Sequence, residues 1–336
     1  MKILFLTHRA LIHQQRSIAA APPGLEVQML RDASRAQILA ALPGADFLIS
    51  EREDPIDAGM IAMGTNLRLI QRLGGQTADI DLPAAMAAGI PVCRWPDATC
   101  VNVAEHCLML ILALVKKARD LNMVMSAADP TTWTQPPRRS DENTFAYNWS
   151  GRSGITSLYG RTMGILGFGE IGRELAQRLA GFETAVLYHK RSRMKPQAEA
   201  QLRVTYASEE ALVRASDVLI DLLPYTPEGD QAVNASFFAR MKTGAFFIFC
   251  GGSGGVDEAA LLAALRAGHL AGAALDTYTW EPLPPESPLL AAYRNPALNL
   301  ILTPHVAAGT DPPGHDWMYA NVRRLLDGQE LLYRVA

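Results

Sequence analysis

The chain is poor in several things, and each scarcity narrows what it can be. It has 4 cysteines in 336 residues. Cys93, Cys100, Cys107 and Cys250 have neither metal-ligand nor redox-pair spacing, so no metal is expected and reduced thiols in a cytoplasmic protein are the simplest expectation. Charged residues are 19% of the chain, the formal net charge is -3, and no basic stripe stands out, which argues against a nucleic-acid partner. Long apolar runs are scarce too. The longest, Cys107–Val115, is too short to span a bilayer and ends at Lys116-Lys117, so no membrane association is expected. The run near the start ends at His8 and Arg9, too soon for a signal core, and reads as a first strand. No repeat or low-complexity segment is visible. What remains, with 49% hydrophobic residues, is a globular chain long enough for two domains.

The first hundred residues alternate short apolar segments (Ile3–Leu6, Glu26–Gln28, Phe47–Ile49, Leu69–Arg72, Pro91–Cys93) with helical ones such as Ala33–Ala41 and Leu82–Ala88. Such alternation predicts a parallel sheet covered on both faces. A long helix is expected from Asn102 to about Leu121. The stretch Pro130–Gly154, rich in Pro, Thr, Arg, Asn and Trp, reads as a surface excursion. Alternation then resumes at Thr162, with strands at Thr184–Tyr188, Val218–Leu222, Ala245–Phe249, Gly272–Leu275 and Leu298–Thr303. A helix over Asp316–Leu326 is expected to return to the first domain. The fold class is therefore α/β, with two doubly wound parallel-sheet domains: a flavodoxin-like one over 1–101 and 309–336, and a Rossmann one over 102–308, with a cleft between them.

At the head of the second sheet an apolar run ends in Gly167-Phe168-Gly169-Glu170-Ile171-Gly172, and a helical pattern follows at once. Gly167 permits the tight turn, Gly169 lets backbone approach a pyrophosphate, and Gly172 lets the helix pack closely on the sheet. The helix N-terminus presents N–H groups and a positive dipole end to phosphates. This spacing predicts a dinucleotide site. Seventeen residues past Gly172, where NAD-binding proteins carry a carboxylate for the ribose 2′-hydroxyl, the chain reads His189-Lys190-Arg191-Ser192-Arg193. Cations suit a 2′-phosphate, so NADP is expected over NAD.

Further segments fall in a telling order: Ile90-Pro-Val, Val103-Ala-Glu105, Leu223-Pro224-Tyr-Thr-Pro-Glu228, Val256-Asp-Glu, Ala274-Leu-Asp276, Glu281-Pro-Leu-Pro284 and Thr303-Pro-His305-Val-Ala-Ala-Gly-Thr310. With the glycine motif, these resemble the D-2-hydroxyacid dehydrogenase family, which includes glyoxylate and hydroxypyruvate reductases, over essentially the whole chain. The resemblance implies that His305 exchanges a proton with the substrate oxygen while hydride moves to or from nicotinamide. Imidazole suits this because its intrinsic pKa is about 6.5. It implies that Glu281 pairs with His305, orienting the ring and favouring its charged form. Asp276 matches a family aspartate near this pair and the cofactor, with a turn-capping role as the alternative. The motif at Leu223-Pro224 is expected to flank the cofactor. The family's glycine-rich substrate loop corresponds to Gly74–Asp81, so Gly75 and Gln76 are expected to face a small-molecule substrate, with Arg52 and Arg94 as candidate cations. The helix from Asn102 implies a homodimer, and the apolar run Cys107–Val115 is consistent with its interface.

The main departure lies before Val256. The family's Asn-x-Ala-Arg-Gly reads Phe249-Cys250-Gly251-Gly252-Ser253 here, which puts Gly252 where an arginine should clamp the substrate carboxylate. A roomier, less cationic site is expected. Three readings stay open: an NADP-dependent reductase or dehydrogenase with another group in place of the arginine; an enzyme adapted to a non-standard substrate or to redox-neutral elimination with bound nicotinamide; and a non-catalytic nucleotide-sensing protein.

Overall fold

The computed structural model describes residues 1–51, 55–310 and 314–336. Two compact units emerge, Met1–Ala98 with Asp311–Ala336, and Thr99–Thr310.

The first unit holds five parallel strands, β1 (Lys2–Thr7), β2 (Glu26–Arg31), β3 (Phe47–Ser50), β4 (Leu69–Leu73) and β5 (Val92–Trp95), in the order β2-β1-β3-β4-β5. Side chains alternate across a strand, so β1 feeds two cores. Leu4 and Leu6 pack with Leu48, Ile70 and Val92, while Ile3 and Phe5 pack with Phe47, Ile49 and Leu69 on the other face. The chain's last segment completes that second layer. A 3-10 turn, His315–Tyr319, leads into the helix Ala320–Leu326, and Met318, Tyr319 and Val322 are buried against Phe5 and its neighbours.

The second unit holds seven parallel strands: β6 (Thr162–Leu166), β7 (Ala185–His189), β8 (Val204–Tyr206), β9 (Val218–Asp221), β10 (Ala245–Phe249), β11 (Leu270–Leu275) and β12 (Leu300–Leu302), ordered β12-β11-β10-β9-β6-β7-β8. The strand order reverses at β6, so β6 and β9 flank the switch point where doubly wound sheets bind ligands. The sequence pattern leaves out β8, a three-residue edge strand too short to set a period of its own.

One expectation needs correcting. The long helix is two, Ala98–Val115 and Ala118–Ala127, separated where Lys117 adopts a left-handed conformation with φ 51°. Within the first of them, Cys107, Leu110, Ile111, Leu114 and Val115 are fully buried among Met163, Ile165 and Ile220. Met109 of the same run is exposed, and Leu108 and Leu112 are partly buried. The stretch after the second helix carries one 3-10 turn, Pro130–Thr132, and is tied by the Thr134 N–H to Trp149 carbonyl bond (2.8 Å) and the edge-on Trp133–Trp149 pair.

Asp221 closes β9 in an unusual way. It is 2% exposed, and its Oδ1 accepts the Leu223 N–H at 2.9 Å. Burial pushes its carboxyl up to about 7. Between the ordinary carboxylate range and that value the folded chain binds a proton that the unfolded chain has released, so stability falls as pH rises through this window. Asp221→Asn keeps the acceptor and removes the charge. Its stability advantage over the native chain should grow by on the order of 3 kcal/mol from about pH 4.5 to about pH 8. Thermal or urea melts at the two pH values check this, and an unchanging difference would refute the assignment.

Candidate active site

At the end of β6 the chain turns straight into the helix Glu170–Leu179. Gly167 takes φ +87°, and a Cβ there would lie 2.8 Å from the Leu222 carbonyl carbon and the Leu223 nitrogen. The turn is thus sealed against the end of β9. A Cβ on Gly172 would come within 3.1 Å of Phe168 Cδ2 and 3.2 Å of the Gly167 oxygen, which only a glycine lets the helix avoid. Gly169 differs, because nothing lies within 4 Å of where its Cβ would stand. The N-terminal end of the helix therefore faces open space lined by backbone, a fit for a pyrophosphate. Glu170 and Ile171 are half-buried in the first turn, and Leu223 and Pro224 lie exposed after β9. The Phe168 side chain is 1% exposed and its ring centroid lies 4.5 Å from that of Tyr188, so its backbone is the part that can meet a ligand.

His189 ends β7, and its Nδ1 donates to the Ala207 carbonyl at 2.9 Å, leaving Nε2 on the other side of the ring. The cations that follow are not equivalent. Arg193 is held by two 2.8 Å bonds to Glu199, whose carboxylate also accepts the Tyr188 hydroxyl at 2.6 Å. The guanidinium, then the phenol, hold the Glu199 carboxyl down to about 2. Arg193 is therefore committed to the protein. Lys190 is half-buried, and Arg191 is exposed with no hydrogen bond or ion pair among the described residues.

The densest polar geometry lies after β11 and β12. His305 has a left-handed backbone, φ 52°, and its Nδ1 lies 2.6 Å from Glu281 Oε2. That conformation is costly for a residue with a side chain and is held from behind by Asp276. This aspartate is 1% exposed and accepts the Thr303 hydroxyl (2.6 Å), the Val306 N–H (3.1 Å) and the Ala307 N–H (2.9 Å). Its oxygens thus cap the turn that carries His305. His106 adds a bond to the Thr303 hydroxyl at 3.0 Å. Glu281 Oε1 accepts the Tyr278 N–H at 2.9 Å and the Ser253 hydroxyl at 3.0 Å. Burial opposes its charge, but the bonds from His305, Tyr278 and Ser253 outweigh it and hold Glu281 below the usual carboxylate range. An ionised Glu281 keeps a proton on His305 Nδ1, which leaves Nε2 free to gain or lose one.

Beside this pair the expectation of extra room fails. A Cβ on Gly252 would lie 2.0 Å from the Tyr225 backbone nitrogen and 2.7 Å from its Cβ, and one on Gly251 would lie 2.6 Å from the Leu223 oxygen. The Gly252 N–H donates to that oxygen at 2.8 Å. Residues 223–225 have closed onto the glycines, and the half-exposed Tyr225 fills the space beside them. Tyr225, Ser253 and His106 are not legible as site residues in the sequence, since their contacts join segments far apart along the chain.

In the first unit, Gly75 and Gln76 are half-buried in the loop after β4. Arg94 lies within β5, exposed, with Nη1 donating to the Gly75 carbonyl at 3.1 Å. Arg72 is an unanticipated member. It is 2% exposed and its Nη2 meets Asp79 Oδ2 at 2.5 Å, which braces the same loop from inside. A charge inside an otherwise apolar strand was the available signal. Arg52 lies outside the described residues.

Comparison with known proteins agrees with this architecture. Residues 108–307 match the model of the D-isomer specific 2-hydroxyacid dehydrogenase NAD binding domain. A D-3-phosphoglycerate dehydrogenase of Archaeoglobus fulgidus is 32% identical over 289 residues, 85% of this chain and 50% of the relative. The chain thus spans about half the length of that dehydrogenase. A glyoxylate reductase of Aeropyrum pernix is 33% identical over 274 residues, covering 81% of this chain and 76% of the relative. A crystal structure of a Thermus thermophilus protein aligns over 100% of both chains at 30% identity with a TM-score of 0.54. With the glycine turn, the paired parallel sheets and these relatives in agreement, the chain belongs to the D-isomer specific 2-hydroxyacid dehydrogenase family.

Proposed function

We propose that the protein is an NADP-dependent oxidoreductase that interconverts a carbonyl compound and its alcohol, with His305 as general acid and base. The nicotinamide, when bound, supplies or accepts the hydride. The observation that carries the reading is the 2.6 Å contact between His305 Nδ1 and Glu281. It fixes the ring, and it leaves Nε2 as the nitrogen that gives a proton to the substrate oxygen in reduction and takes it back in oxidation. Asp276 keeps the His305 turn in place during that exchange. Gly167, Gly169 and Gly172 with the following helix would hold the pyrophosphate. Gly75, Gln76 and Arg94 are the proposed substrate contacts. A purely nucleotide-sensing role has no use for an oriented, ionised carboxylate–imidazole pair.

The family description specifies NAD, and the choice of the phosphorylated form is our reading of one side chain. With Arg193 committed to Glu199, Arg191 is the exposed guanidinium after β7 that suits a 2′-phosphate. A second reading concerns the substrate. The closed seam at Gly252 supports one that is not held by a guanidinium at that position.

Two outcomes are expected. In fluorescence titrations the protein should bind NADPH more tightly than NADH, and Arg191→Ala should weaken NADPH by about 10- to 100-fold while barely moving NADH. Equal loss for both cofactors, or none, refutes the assignment. Steady-state assays with NADPH across keto acids, aldehydes and ketones should identify a substrate, on which His305→Asn lowers kcat by about 10²–10⁴-fold with cofactor affinity unchanged. Survival of activity in that variant would remove His305 from the mechanism.

A further inference from the structure

We propose that Ser253 is a positioning residue for Glu281, a role that rests on reading His305 and Glu281 as the acid–base pair. The residue stands where the resemblance leads one to expect glycine, and its hydroxyl donates to Glu281 Oε1 at 3.0 Å. With the Tyr278 N–H at 2.9 Å, it engages one carboxylate oxygen, so the other, Oε2, meets only His305 among the described residues. A carboxylate held this way cannot swing to trade oxygens and stays ionised, because both bonds favour its charged form.

The glycines explain how the hydroxyl gets there. Gly252 lets the chain close onto Tyr225, and Gly254 turns it with φ +94°, so Ser253 sits at the apex of a frame that few other residues tolerate. That frame is docked independently of the serine. The Thr277 hydroxyl donates to the Gly251 carbonyl at 2.9 Å, and Glu258 Oε1 accepts the Thr279 N–H at 2.9 Å. These two bonds tie the loop after β10 and the start of the helix Glu258–Arg266 to the loop that carries Glu281. Removing the serine oxygen therefore leaves the loop in place and takes away one donor, so its effect is read at Glu281 and His305 and not in the fold.

The test follows the imidazoles directly, without a substrate. The chain has 7 histidines, so ¹⁵N-histidine NMR titrations resolve His305, assigned by its loss in His305→Asn. In Ser253→Ala and in Ser253→Gly, the acidic step seen at the His305 nitrogens, where Glu281 takes up its proton, should move to higher pH by about half a unit or more. Ser253→Thr, which keeps the hydroxyl, should return it. Once a substrate is found, the acid limb of kcat/KM should move the same way, with kcat reduced roughly 3- to 10-fold and NADPH affinity unchanged. A titration that stays at the native position in both hydroxyl-free variants overturns the proposal, as does a shift that threonine leaves uncorrected. Failure of the reading beneath it looks different: His305→Asn would then stay active, whatever the titrations show.

Discussion

The candidate site hangs on a buried carboxylate. Asp276 has almost no contact with solvent, and its oxygens are engaged by the Thr303 hydroxyl and the N–H groups of Val306 and Ala307. A buried charge is tolerable only when so saturated. The turn in turn cannot relax without stranding that charge. This mutual dependence keeps His305 in a left-handed conformation that it would not adopt by preference, and so brings Nδ1 to Glu281. Loss of any of these bonds would be felt first as a displaced ring.

Around that anchor two loops divide the labour. The one after β11 carries Glu281, and the one after β10 brings Ser253 and is almost devoid of side chains between Gly251 and Gly255. The bareness serves packing as much as flexibility. Gly251, Gly252 and Gly254 each lie where a side chain would strike Leu223 or Tyr225. Asp221, beneath the same crossing, holds Leu223 from below through a bond to its N–H. A carboxyl whose charge burial opposes and a row of glycines thus meet at one strand end, and together they set the course of residues 221–225.

Much of this was legible in sequence because it is local. The glycine turn and most of the strands follow from short-range pattern, and the Glu281 and His305 motifs from the family resemblance. What escaped is what joins distant segments. Ser253 and Glu281 are 28 residues apart, and no period links them. Arg193 looks like a free cation until Glu199, on the next helix, is seen to hold it. Within the Cys107–Val115 run, Cys107, Leu110, Ile111, Leu114 and Val115 go into the core of their own unit while Met109 stays exposed, and hydrophobicity alone does not say which side chain takes which side. β8 and the break at Lys117 were missed because three strand residues and one left-handed residue leave no period to read.

The seam at Gly252 also has a historical meaning. Position 252 and residues 223–225 occupy each other's space, so neither can change alone. An arginine arriving there by a single substitution would strike backbone, which cannot rotate away as a side chain can. Any descendant of this chain that regained a guanidinium at that spot would first have to loosen the Leu223–Tyr225 crossing, a step with no benefit of its own. The glycine therefore works as a ratchet.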